Sequence, residues 1–136
     1  MSAGATEKGG FSWTGVVPLR WRDLDAYGHV YYGEYLVLLD EARVAMLRAA
    51  LGGANPSFVV AHLELDYRSQ LVLDDGPLTA RVGVERVGRK SLTLAERLTA
   101  QDGRLVLDSR VVVVLFDLDA RQTRPVSASE RRALGG

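Results

Sequence analysis

One stretch constrains this chain more than any other. Residues 31–51 carry a helical apolar period, and no second helix of comparable length is available to pack against it. At about 100° per residue, Tyr35, Leu38, Leu39, Ala42, Met46, Ala49 and Ala50 fall on one broad apolar face. Glu34, Glu41 and Arg48 recur every seventh residue as a narrow polar stripe, and Asp40 stands three residues before Arg43, within pairing reach. Gly52-Gly53 ends the helix. A helix apolar over most of its circumference has to be wrapped, and what this chain offers for wrapping is strand.

Phe58–Tyr67 alternates, with Val59, Ala61, Leu63, Leu65 and Tyr67 on one face and Phe58, Val60, His62, Glu64 and Asp66 on the other. Asp74-Asp75-Gly76-Pro77 is a turn, Leu78–Val87 and Ser91–Thr99 are strands, and Gln101-Asp102-Gly103 signals a hairpin. The last strand, 105–118, holds a run at 111–116 that is apolar on both faces and is expected to be covered on both sides. Ahead of the helix, residues 12–21 read as a strand, which Pro18 places at a sheet edge. Residues 127–134 suit a short helix. The expected class is α+β, an antiparallel sheet wrapped around one long central helix. One helix covers one face of a sheet, so at least a homodimer is expected, with homodimer and homotetramer both open.

Composition narrows the functions. The 136 residues suffice for one domain, and the first twelve, small and glycine-rich, read as a flexible tail ahead of a single domain over 13–136. Seventeen basic residues balance seventeen acidic ones, which leaves no broad field for nucleic acid or an anionic membrane. Cysteine is absent, and His29 and His62 are the only imidazoles, which excludes a thiol nucleophile and a multi-histidine metal site. No apolar run approaches the roughly 20 residues of a membrane span. No secretory signal opens the chain, and a soluble, cytoplasmic protein is the expectation.

The segment from Gly83 to Ser91 nearly forms a phosphate-cradling loop. Arg89 interrupts Gly88 and Lys90, however, and a strand pattern follows where a helix start is needed. No Gly-x-Ser-x-Gly elbow occurs. Asp23 and Asp25 as a cation pair are no better supported than as turn and cap residues. What remains is the segment running from Arg22-Asp-Leu-Asp25 through Gly28-His29-Val30 to Tyr31-Tyr32, between the first strand and the helix. Asp23 reads as a capping residue. Asp25 stands several residues ahead of the helix, and Gly28 permits close backbone approach beside it. The free N–H groups of a first helical turn are able to receive an anionic oxygen. A carboxylate facing such amides is the minimum equipment for acyl transfer. His29 reads as a turn or interface histidine, and His62 as part of a half-polar sheet face.

This pattern, Arg-x-x-Asp-x-Asp-x-x-Gly-His-Val followed by tyrosine, leucines and Glu-Ala-Arg, resembles the hotdog-fold acyl-CoA thioesterases. The resemblance is nearest to the 4-hydroxybenzoyl-CoA thioesterase branch, including the short-chain thioesterase associated with the Tol-Pal system. It covers about residues 16–126. It implies that Asp25 is the catalytic carboxylate and that the Tyr32 backbone N–H holds the thioester carbonyl, with Gly28 and His29 in the same loop. Arg89, Lys90 and Ser91 match a segment that grips the phosphates of coenzyme A. An acyl-CoA substrate is implied, with the site at a subunit interface. Thiolate leaves readily, and no cofactor or metal is required. Two departures stand out. Tyr31-Tyr32 replace the asparagines that many relatives carry there, and Tol-Pal-type members have histidine at the position of Tyr32. Other readings compatible with the fold are a non-catalytic acyl-CoA binding module and a hydratase or dehydratase using His29 or His62.

Overall fold

The computed structural model describes residues 11–53 and 56–135, so most of the expected flexible tail, residues 1–10, lies outside the described residues. Its elements are β1 (Trp13–Val17), α1 (Glu34–Ala50), β2 (Phe58–Tyr67), β3 (Leu78–Val87), β4 (Ser91–Thr99), β5 (Leu105–Asp117), β6 (Gln122–Thr123) and α2 (Ala128–Ala133). The sheet order is β1-β3-β4-β5-β2, antiparallel throughout, with β6 paired to the end of β5. Among the described residues no helix is long and apolar enough to cross a membrane. The order and the single long helix across the sheet are the hotdog arrangement that the resemblance implied.

α1 starts at Glu34 rather than at Tyr31, because the backbone before it is already committed. The Tyr31 N–H donates to the Asp23 carbonyl at 3.0 Å, which holds that residue outside the helix. The buried face is Tyr35, Leu38, Leu39, Ala42, Arg43, Met46 and Leu47. Each large apolar side chain there contributes about 1.5–3 kcal/mol. Ala49 is exposed and Ala50 only half-buried, contrary to the periodicity, because their single methyls reach less of the sheet than Leu47 does. Nor is the helix buried on most of its circumference in the single chain: Leu36 and Val37 remain more than 40% exposed. After the Leu51 cap, Gly52 and Gly53 take left-handed φ values of 82° and 91°, which favour glycine.

Arg43 was expected to pair with Asp40, and does so at 3.3 Å. Its principal partner is one that spacing could not reveal. Nε and Nη2 donate to the two carboxylate oxygens of Glu96 on β4 at 2.7 and 2.8 Å, and Ser109 Oγ on β5 donates to Glu96 Oε1 at 2.8 Å. Both charges are fully buried, and the bidentate fork satisfies the carboxylate inside the core.

The two edge strands differ from the sequence reading in instructive ways. β1 stops at Val17 because Pro18 offers no N–H to the ladder, and its place at the sheet edge agrees with that residue. In β2 the register shifts between Val60 and His62, so Ala61 is an extra residue on that strand. The bulge changes the parity of the strand: Phe58 before it and Leu63 and Leu65 after it all pack on the core. Simple alternation puts Phe58 and Leu63 on opposite faces. On β5, Val111, Val113 and Leu115 are buried while Val112, Val114 and Phe116 are only half-buried. The outer face of this run has no second layer over it among the described residues, so the expected two-sided cover is absent from the single chain.

The short α2 carries a complete capping box, with the Ser127 hydroxyl accepting from the Glu130 N–H and the Glu130 carboxylate accepting from the Ser127 N–H. Arg124 clamps the same carboxylate with two 2.8 Å hydrogen bonds. Those bonds, reinforced by the Ser127 N–H, hold the Glu130 pKa down at about 2. A depressed carboxylate pKa stabilises the fold above its ordinary value and loses that contribution as pH falls toward the folded value.

Glu96→Ala is expected to lower the unfolding free energy in urea by about 3–5 kcal/mol, the cost of stranding a buried guanidinium. An Arg43→Met/Glu96→Leu double variant is expected to be more stable than Glu96→Ala. Thermal melts from pH 5 down to pH 2 are expected to show a loss of stability that is smaller in Glu130→Gln, since only the ionised Glu130 carboxylate gains from Arg124.

Candidate active site

The loop between β1 and α1 is a small structure of its own. The Asp23 carboxylate is buried and accepts from the Arg20 N–H at 2.8 Å, with the Arg20 guanidinium beside it, which is the capping role its position suggested. The Asp25 N–H donates to the His29 carbonyl at 2.7 Å, and a bridge joins Leu24 to Val30. Gly28 turns the loop with φ 85°, and a Cβ there would meet open space. The left-handed backbone alone favours glycine here. The loop lies on the segment before β3: the Val30 N–H donates to the Leu71 carbonyl, and His29 bridges to Val72. That segment is fixed in turn by Asp75, which accepts from the Val72 N–H and pairs with Arg104 at 2.9 Å. Both contacts hold its pKa below the usual carboxylate range.

Inside this loop Asp25 Oδ1 accepts from the backbone N–H groups of Tyr27 at 2.8 Å and His29 at 3.2 Å. Oδ2 accepts from no donor among the described residues, and the carboxylate is half-buried. One oxygen is thus pinned by main chain and the other left available, an arrangement suited to a nucleophile or base whose direction must be set. His29 serves this through its N–H and carbonyl, and no hydrogen bond to its imidazole occurs among the described residues.

Asp25 lines a cavity of about 340 Å³ together with Val30, Tyr32, Tyr35, Tyr67 and Ser69. The Tyr32 and Gly33 N–H groups have no acceptor among the described residues, whereas those of Tyr31 and Glu34 on either side of the pair are engaged. An unsatisfied amide at a helix start beside a carboxylate can stabilise an oxyanion. The Tyr32 ring itself is exposed and leans on Tyr31, with centroids 4.7 Å apart.

Two of the tyrosines in this cavity were not singled out from the sequence as site residues. Tyr35 belongs to the buried helical face and Tyr67 to the inward side of β2; alternation and periodicity placed both, without revealing that the end of β2 meets the start of α1. Their rings meet edge to face at 5.3 Å. The Tyr67 hydroxyl donates to the Tyr32 carbonyl at 2.8 Å. Burial pushes the Tyr67 phenol above its ordinary pKa, which already leaves it protonated at neutral pH.

Arg89, Lys90 and Ser91 lie elsewhere. They form the turn between β3 and β4, closed by the Gly88 N–H on the Ser91 carbonyl at 2.7 Å. No helix opens after it, which agrees with rejecting a nucleotide-cradling loop. Arg89 is exposed, and the Lys90 ammonium donates to Thr123 Oγ1 at 3.2 Å. Arg131 on α2 buttresses the turn through the Val87 and Gly88 carbonyls, at 3.2 and 2.9 Å. Ser91 begins β4, while Leu98 near its other end pairs with Leu107, which pairs with Tyr67. The cationic turn and the Asp25 cavity therefore sit about 23 Å apart along one strand, at roughly 3.3 Å per residue. One chain does not bring them together. His62 is exposed on β2 and does not line the cavity. A larger hollow on the outer face of the sheet, about 590 Å³, is lined by Arg68, Arg110, Glu85 and Asp108 among others. Its charges largely pair with one another, so it offers little to a substrate.

Comparison with known proteins agrees with the fold. The chain is 29% identical over 124 residues to the long-chain acyl-CoA thioesterase FadM of Escherichia coli K12, across 87% of this chain and 93% of the relative. It is 29% identical over 113 residues to the acyl-CoA thioester hydrolase YbgC of Escherichia coli O6:H1, across 79% and 82% of the two chains. A thioesterase of Thermus thermophilus, solved with coenzyme A and Zn, superposes with a TM-score of 0.77 at 27% identity, covering 92% of each chain. Residues 19–134 match the thioesterase-like superfamily, and the chain belongs to that family.

Proposed function

We propose that this chain hydrolyses acyl-CoA thioesters to the free acid and coenzyme A, with Asp25 as nucleophile or general base and the Tyr32 N–H as oxyanion donor. The observation that carries the reading is the pairing, in one cavity, of a carboxylate held by two backbone amides with an amide that has no acceptor among the described residues. As the thioester carbonyl gains negative charge, the Tyr32 N–H stabilises it more than it stabilises the ground state. On one route Asp25 attacks the carbonyl carbon, the C–S bond breaks, thiolate leaves and water hydrolyses the resulting anhydride. On the other, Asp25 takes a proton from water as that water attacks, and the tetrahedral adduct expels thiolate. We place the chain with the 4-hydroxybenzoyl-CoA thioesterase branch on its Asp25-x-x-Gly28-His29-Val30 motif. Tyr32 in place of histidine leaves the acyl preference its own.

Arg89 and Lys90, with Ser91, grip the diphosphate of coenzyme A in this reading, as compact and forked cationic donors do. Their distance from Asp25 within one chain supports a homo-oligomer in which the turn of one protomer serves the cavity of its partner. Exposed apolar side chains at the β2 edge and on α1, among them Val59, Val60, Leu36 and Val37, suit such an interface.

Thiol release from a panel of acyl-CoAs is expected from the wild type, with Asp25→Asn losing at least about a hundredfold in kcat. Stoichiometric binding without turnover in both proteins would instead identify a binding module. Arg89→Ala/Lys90→Ala is expected to raise KM roughly tenfold for CoA thioesters and to leave pantetheine thioesters unaffected. Co-refolding equal amounts of Asp25→Asn and Arg89→Ala/Lys90→Ala chains is expected to recover about a quarter of wild-type activity at low substrate, since half the dimers hold one intact site.

A further inference from the structure

The backbone that presents the proposed oxyanion donor is bonded on its N-terminal side, where the Tyr31 N–H donates to the Asp23 carbonyl and the Tyr31 carbonyl accepts from the Glu34 N–H. Gly33, the residue before α1, offers no side chain to cap the helix. The Tyr32 and Gly33 N–H groups find no acceptor among the described residues, and the Tyr32 ring is largely exposed. Within the described residues the one hydrogen bond to the Tyr32 main chain comes from Tyr67, which is 35 positions away and on the edge strand of the sheet. The Tyr67 ring is itself located, edge-on to the buried Tyr35 ring in the first turn of α1 and in register with Leu107 of β5. Its hydroxyl is therefore delivered to a defined point, and that point is the Tyr32 carbonyl.

We propose that Tyr67 is a positioning residue for thioester hydrolysis, a strut from β2 whose hydroxyl holds the Tyr32 carbonyl and, through that residue, restrains the backbone that presents the Tyr32 N–H to the Asp25 cavity. The role rests on the hydrolase reading above and adds to it a residue outside the motif. The Tyr32 N–H belongs to the 31–32 peptide, whose carbonyl accepts from the Glu34 N–H at 2.8 Å, and Tyr67 fixes the next peptide at the Tyr32 carbonyl. The donor is thus carried by a residue held on both sides, which lessens reorganisation at the moment of reaction. The ring and the hydroxyl have separable tasks. The ring packs against Tyr35, and the hydroxyl alone reaches the loop.

Tyr67→Phe tests this directly, because it keeps the ring contact and removes the donor. The expected result is a fall of about tenfold in kcat with KM within twofold of wild type and an unchanged thermal midpoint, the pattern of a group that acts in the transition state through another. Backbone order parameters at Tyr32 and Gly33, from 15N relaxation, are expected to fall in the same variant, a readout independent of turnover and of overall stability. A kcat equal to wild type, or a parallel loss of kcat and thermal midpoint with no local change in the order parameters, overturns the proposal. The two readings fail differently. A wild type that hydrolyses no thioester removes the hydrolase reading and this role with it, whereas an active wild type, a dead Asp25→Asn and a fully active Tyr67→Phe remove the strut alone.

Discussion

The Arg43–Glu96 fork fixes how α1 is rotated about its own axis, and the position of the site follows from that rotation. Apolar packing alone is permissive: a stripe of leucines can roll by part of a turn against a sheet and still exclude water. A guanidinium bonded to both oxygens of a carboxylate that also accepts from Ser109 permits little rolling, since every displaced donor would leave a buried charge unsatisfied. With that rotation set, Tyr35 faces the end of β2, where it meets Tyr67.

The same constraint links two scales of the molecule. The core of leucine and valine around α1 supplies most of the stability, and the loop ahead of the helix uses little of it. That loop is instead stabilised by main-chain hydrogen bonds, by the Asp23 cap near its start and by the Asp75-capped segment on which it lies. A rigid scaffold carrying a hydrogen-bonded loop is a common division of labour in catalytic domains, and here the boundary falls between Tyr31 and Glu34.

Much of this was readable in the residues. The 3.6-residue period located the central helix, alternation and turn chemistry located β2 to β5, and Pro18 put β1 at an edge. The Asp25-to-Val30 motif located the loop. What escaped was whatever depends on long-range register. Glu96 looks like one more polar residue on an alternating strand until β4 is laid against α1. The Ala61 bulge inverts the faces of half a strand without any local signature. Tyr67 looks like an ordinary inward aromatic, because nothing near it in sequence indicates that its hydroxyl reaches residue 32. The separation of Arg89–Ser91 from Asp25 emerges from strand pairing alone.

The carboxylate of Asp25 is held by the amides of Tyr27 and His29, and its own amide by the carbonyl of His29. None of these contacts uses a side chain other than its own. Main-chain groups are common to every residue type but proline, so the loop's geometry is largely indifferent to what positions 26, 27 and 29 carry, provided Gly28 keeps its turn. The chemistry and the surface around it are thereby uncoupled. Side chains on this loop are free to drift toward new acyl groups or new subunit contacts while the aim of the carboxylate is inherited unchanged.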